Sequence, residues 1–271
     1  MLEKSGQWLR RAIVATMVLV TASRTAAAQD YPIDVLRTWG LENNKGWVAF
    51  DRGDLNTAEL RFNGAIKVLQ RFETTDQRLL SRSYFDLALV LEAQKRHAAA
   101  EPLAKWVLKV RERDPRTRDD TLFDSLYLLA RIHRAQDQNA EAEALLRRAL
   151  EIEERNTPAD DPGPALTIMD IADLAARQKK YEEADALYRR AIAVLRHYDP
   201  DVNPTLADAL EARARVLDHL NRPTDARAAE SEARRVREAV RKAAEPDAAN
   251  PPSEEPPPDP VPITRRDRAP D

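Results

Sequence analysis

The chain has no cysteine, only six glycines in 271 residues, and aromatics at just 6%. Without cysteine there are no disulfides, thiolate metal sites or cysteine nucleophiles, and the redox compartment stays open. So few glycines leave little room for a phosphate-binding loop or a dinucleotide fingerprint. Neither pattern is present, and GxSxG is absent too. The four histidines, His97, His133, His197 and His219, include no pair at the i, i+3 or i+4 spacing that puts two metal ligands on one helix face. Asp199, Asp201 and Asn203 alternate as in the first half of a calcium loop. Pro204 follows them, however, and the required glycine and closing glutamate are missing. No excess of one charge exists either: the formal net charge of −3 gives no electrostatic reason for nucleic acid as a partner. These absences point away from an enzyme and imply no cofactor. What the chain does have is 43% hydrophobic and 33% charged residues, rich in alanine, leucine, arginine and glutamate. That mixture belongs to an all-helical protein.

Residues 1–28 read as a targeting segment. Lys4, Arg10 and Arg11 precede an apolar run, Ala12–Ala22, and Ala26-Ala27-Ala28 supplies small residues before Gln29. The run is short of the roughly 20 residues that cross a bilayer, which favours cleavage after Ala28 over retention as an anchor. The expected location of the mature chain is a bacterial periplasm or the exterior, with no membrane span once the signal is removed. At the other end, residues 244–271 hold nine of the eighteen prolines, with Glu254, Glu255 and Asp259 among them and little apolar to bury. This composition predicts a disordered or polyproline II tail, either plainly solvated or serving as a spacer or a ligand for a Pro-rich-motif reader.

Between them the chain repeats. Steps of 42 residues give Ala58, Ala100, Ala142, Ala184 and Ala226. Twelve residues upstream lie Gly46, Ala88, Ala130, Ala172 and Ala214, and two beyond those Val48, Val90, Ile132, Leu174 and Val216. A further series is Ala65, Val107, Ala149, Ala191 and Ala233. Five units in register without an insertion predict five helix pairs, A and B, crossing at small residues. A larger side chain there would push the axes beyond roughly 8–10 Å. Short A–B turns are expected at Arg52–Asp54, Gln136–Gln138, Gln178–Lys180 and His219–Asn221. Prolines at Asp114-Pro115, Thr157–Pro164 and Asp199–Pro204 mark the unit boundaries. The most regular helix is Tyr181–Leu195, where Tyr188 lies between Ala184 and Ala191 as an inter-helix wedge.

The residues Ala172, Lys179, Ala184, Tyr188 and Ala191, and Gly46, Gly53, Ala58, Phe62 and Ala65 in the first unit, resemble the tetratricopeptide repeat. The 42-residue period and the segment Asp199–Val202 leading into Leu206–Leu210 resemble the kinesin light chain subtype. The resemblance covers about residues 35–243. It implies a right-handed α-α superhelical solenoid of five helix-turn-helix repeats. Lys45 and Arg213 replace an apolar residue, and Glu230 an aromatic one, in the first and last units, where water-facing caps are expected; Ala104 replaces the aromatic in the second unit.

The resemblance further implies a concave groove lined by the A helices that takes a protein or extended peptide. Its candidate residues are Asn43, Trp47, Phe50 and Asp51; Phe85, Leu89 and Glu92; Tyr127, Arg131 and Arg134; Met169, Asp173 and Arg177; and Glu211 and Arg215. An apolar N-terminal half and a charged C-terminal half would suit a peptide with an apolar anchor at one end and charge at the other. The aromatic residues could equally pack between neighbouring units. Two other roles fit: an accessory module of a cell-envelope enzyme or machine, engaged through its tail, and a hydrolase with a site assembled from separate helices of the inner wall.

Overall fold

In a computed structural model, residues 32–71, 77–158, 161–199 and 201–244 are described. The expected signal segment and the proline-rich stretch 245–271 lie outside them. The described residues form ten α-helices: α1 (Ile33–Asp51), α2 (Leu55–Gln70), α3 (Gln77–Ala93), α4 (His97–Arg113), α5 (Asp119–Ala135), α6 (Asn139–Asn156), α7 (Gly163–Arg177), α8 (Tyr181–Tyr198), α9 (Pro204–His219) and α10 (Pro223–Ala244). Odd helices are A and even helices B. Each packs on its sequence neighbours, so the architecture is an all-α superhelical solenoid of five helix pairs.

One turn, used five times, makes the array regular. Gly53, Lys95, Asp137, Lys179 and Asn221, each 42 residues apart, all have φ between 55° and 77°. The next amide bonds back across the helix end in every unit: Asp54 N to Ala49 O (2.9 Å), Arg96 N to Leu91 O (2.8 Å), Gln138 N to His133 O (3.0 Å), Lys180 N to Ala175 O (2.9 Å) and Arg222 N to Leu217 O (2.9 Å). This 6→1 bond across a left-handed residue is the Schellman ending, which satisfies orphan carbonyls and reverses the chain in three residues. The last turn is Leu220–Arg222, one residue later than the sequence pattern suggests, because His219 still belongs to α9. At the other edge of the array, Pro164 and Pro204 open α7 and α9 from inside their first turns, where a missing amide costs nothing. Asn203 caps α9 by accepting from Thr205 N and Leu206 N. Asp119 and Asp120 sit in the first turn of α5 after Arg118, where negative charge suits the helix N-terminus.

The small series are buried throughout: Ala58, Ala100, Ala142, Ala184 and Ala226 are all in the core, as are Ala88, Ala130, Ala172 and Ala214 facing them. Tyr188 is the wedge the pattern implies, 1% exposed. The core runs as two large clusters, one through units one to three and one through units three to five, joined where Tyr127 and Leu145 touch both. Val48 is 40% exposed, whereas Val90, Ile132, Leu174 and Val216 are buried. Among the described residues α1 has no preceding B helix to cover that face. Lys45 is exposed there, as a cap requires, and Glu230 is exposed on α10. Arg213 is different. It donates to Asp185 Oδ1 (2.7 Å) on α8, and Asp185 is itself buried and also meets Arg189 and Arg222. Arg213 is therefore an inter-unit ion-pair residue and not a water-facing cap.

Candidate binding groove

Successive A helices approach more closely than successive B helices, with backbone contact between α3 and α5 and between α7 and α9. The A helices therefore line the inside of the curve and the B helices the outside. On the outer side only long side chains bridge the gap. Arg148 pairs with Glu112 (2.5 Å), Arg190 with Glu154, and Arg196 with Glu232 (2.5 Å), each between residues 36 apart. These are one rung repeated at α4–α6, α6–α8 and α8–α10, with its polarity reversed in the last.

On the inner wall the rungs are shorter and more buried. Asn43 on α1 donates to Asp86 on α3 (3.0 Å). Two units further on, at the same register, Tyr127 on α5 donates its hydroxyl to Asp170 on α7. Between them, Arg131 on α5 grips both carboxylate oxygens of Glu92 on α3 (2.8 and 2.9 Å), and Arg134 adds a 2.6 Å bond to Asp170. Burial holds the Tyr127 hydroxyl well above its ordinary pKa, and the neighbouring Asp170 carboxylate pushes the same way. For Arg134 burial works against the charge, but Asp170 outweighs it and the pKa rises. Asp86 is buried and pushed up to about 6, despite Arg82, Asn43 and Arg111 nearby.

Arg111 reaches the same region from α4. Its guanidinium lies 4.5 Å over the Phe85 ring and donates to Ser81 Oγ (3.3 Å), Ser125 Oγ (2.7 Å) and Thr121 O (3.0 Å). Burial lowers its pKa to about 10, with Asp124 and Asp86 opposing. Asp124 is in turn pushed up to about 6 by burial.

The sequence candidates divide by this geometry. Asn43, Trp47 and Leu89 are buried. Trp47 is held edge-on between Phe50 (5.5 Å) and Phe62 (5.6 Å). Phe50, Phe85, Tyr127, Arg131, Arg134, Met169 and Glu211 are half-buried, whereas Glu92 is buried. Asp51, Asp173, Arg177 and Arg215 are exposed. Asp173 accepts from the Tyr188 hydroxyl of its own unit, and Glu211 pairs with Arg237 (3.1 Å). Arg177 and Arg215 have no hydrogen bond or ion pair among the described residues. The hydrogen-bonded part of the inner ladder thus runs from α1 to α7; beyond it Arg215 on α9 lies within electrostatic range of Asp173 on α7 without a direct bond, and Arg177 has no direct bond either.

Sequence reasoning missed Asp86, Asp170 and Arg111. The first two had a signal: aspartate recurs at one register in alternate units, each next to a polar donor one unit earlier. Arg111 had none, since a basic residue in the last turn of a helix is ordinary. Among the described residues no group of three or more side chains could hold a metal ion, and no helix is long and apolar enough to cross a membrane.

Comparison with known proteins agrees with the repeat. Residues 121–197, which span the third and fourth units from α5 to α8, match the tetratricopeptide repeat family. Comparison with the curated proteins gives no match. Among solved structures, a variant of a Podosopora anserina protein described as a kinesin light chain with nearly identical TPR-like repeats is similar. Its TM-score is 0.68 at 15% identity, over 78% of this chain and 100% of that one. BtubC (BKLC) from P. vanneervenii has a TM-score of 0.64 at 18% identity, over 80% and 95%. A Rap protein complexed with Competence and Sporulation Factor has a TM-score of 0.55 at 14% identity, over 76% and 56%. Residues 121–197 thus carry tetratricopeptide repeats, and the fold is similar to that of kinesin light chain-like TPR arrays.

Proposed function

We propose that this chain is an exported, non-catalytic scaffold whose inner wall binds an extended segment of a partner protein. The observation that carries the reading is that direct hydrogen bonding along the inner ladder ends at Asp170. Up to Asp170 the wall's polar groups satisfy one another, so a ligand would have to break internal bonds to reach them. Beyond it, Arg177 and Arg215 stand exposed without a hydrogen bond or close ion pair, Arg215 only within electrostatic range of Asp173, on the same wall as the half-buried Met169. Exposed arginine is enriched in interface hot spots. The charge half of the expected ligand is therefore acidic and lies along α7 and α9. The apolar anchor is better served by Phe50 and Met169 than by Trp47 or Leu89, which the fold has already buried. That a protein with this fold was solved with a bound factor supports the reading.

A partner recovered from cell-envelope extract supplies the test. Arg177→Glu with Arg215→Glu should weaken its affinity at least about tenfold while leaving the fold intact, because both side chains are exposed. Unchanged affinity would refute the groove. Export rests on the basic, apolar and small-residue order of residues 1–28, and sequencing the mature N-terminus decides it: Gln29 first supports it, Met1 first overturns it.

A further inference from the structure

A notch of about 290 Å³ opens away from the inner wall, at the edge where B helices hand over to A helices. Its floor is Leu166, Leu195, Tyr198 and Val202, and the last two are 61% and 41% exposed, unusual for side chains of that size. Its rim carries two aspartates. Asp161 Oδ1 accepts from Gly163 N (2.7 Å), and Asp199 Oδ1 accepts from Asp201 N (3.2 Å) and Val202 N (3.1 Å). Each is fixed by one oxygen and keeps the other for a ligand, and neither has an ion pair among the described residues. The notch is apolar inside and acidic at the lip.

A segment of matching chemistry lies in the same chain. Pro260-Val261-Pro262-Ile263 is apolar and half proline, and Arg265, Arg266 and Arg268 follow with a single aspartate between them. Topology brings its tether to the right place. α10 is a B helix, so its end at Ala244 lies on the B-to-A edge, the same edge as the loops that form the notch. The α8–α9 loop is about two helix layers away, roughly 20 Å at 8–10 Å per layer. Sixteen residues separate Ala244 from Val261. At about 3.1 Å per residue they reach ~50 Å, so the tether is ample. The geometry points to the tail segment Pro260–Arg268 as the occupant of this notch, with Val261 and Ile263 on Tyr198 and Val202 and the arginines on Asp161 and Asp199. A short tether that spans the distance supplies an effective concentration of order millimolar, so even a millimolar contact is substantially occupied. The tail then folds back on the array's edge and leaves the inner wall open.

The cysteine-free chain makes the test clean. Val202→Cys and Ile263→Cys are introduced together in the full chain, and disulfide formation is followed under mild oxidation. The expected result is an intramolecular disulfide whose rate does not depend on protein concentration. That rate should fall about tenfold when Arg265, Arg266 and Arg268 are changed to Glu, variants outside the helical array that keep the same cysteines and tether. Equal rates within about twofold for the two tails would overturn the proposal. So would crosslinks that form only between molecules, which would assign the notch to a second copy.

Discussion

Gly46 offers the sharpest test of how the repeat is packed. Every other unit has alanine at this crossing, so Gly46→Ala looks like a correction toward the pattern. In a helix interior the exchange should contribute about 1 kcal/mol through backbone entropy. The structure opposes it. A Cβ at Gly46 would lie 2.6, 2.8 and 2.9 Å from Cε1, Cδ1 and Cζ of Phe62, distances that require the ring to move. Phe62 is fully buried and braced edge-on against Trp47, so it has nowhere to go. Overpacking of this kind costs about 1–3 kcal/mol, which leaves Gly46→Ala neutral to about 2 kcal/mol less stable. The third unit shows the remedy: Ala130 packs there in one core cluster with Leu146. Adding Phe62→Leu should therefore relieve the clash, and a double-mutant cycle should show a favourable coupling of about 1–2 kcal/mol. Ala172 and Tyr188 do coexist in the fourth unit, but that ring is anchored by its hydroxyl on Asp173 instead of being wedged against a tryptophan. Urea denaturation gives the stabilities, and hydrogen exchange in α1 and α2 localises the change to the terminal unit. A higher midpoint for Gly46→Ala, or simple additivity in the cycle, would refute the reasoning.

Two further predictions concern charge and backbone. Burial raises Asp86 from 3.8 to about 6 in the folded state, so its native form favours the proton and its contribution to stability is lost as pH rises from about 4 through about 6. Asp86→Asn can still accept from Asn43 and should flatten that fall by up to ~3 kcal/mol at neutral pH, seen as convergence of the two stabilities below pH 4; parallel profiles would contradict it. Lys179 holds a φ of 61° on an exposed turn, where a Cβ is strained. Lys179→Gly should gain ~0.5–1 kcal/mol and raise the melting temperature, with no change if the turn is strain-free.

Much of this architecture could be read from residues alone because it is periodic. Ala184 and its four counterparts announce the crossings, and the prolines announce the boundaries. The turns were legible at Gly53, where glycine suits the left-handed residue, and much less so at Lys95 and Lys179, where lysine holds the same conformation only because the Schellman bonds fix it. The groove was legible as a set of positions and not as a state of pairing. Nothing local to Asn43 or Arg134 says that a carboxylate 43 or 36 residues away will consume its donors. Arg213 shows the same limit: it reads as a cap because it is charged, yet its partner Asp185 lies on the preceding helix. Pairing is a tertiary property, and it decided which candidates kept no direct partner.

The central claim is that the partner lies along α7 and α9 on the inner wall. A photo-crosslinking amino acid placed at Arg215 reports on that surface, and one at the exposed Ala186 on the outer side of α8 serves as its counterpart. With cell-envelope extract, adducts should form at position 215 and not at 186, and excess unlabelled protein should abolish them. Adducts at 186 alone, or equally at both, would contradict the account.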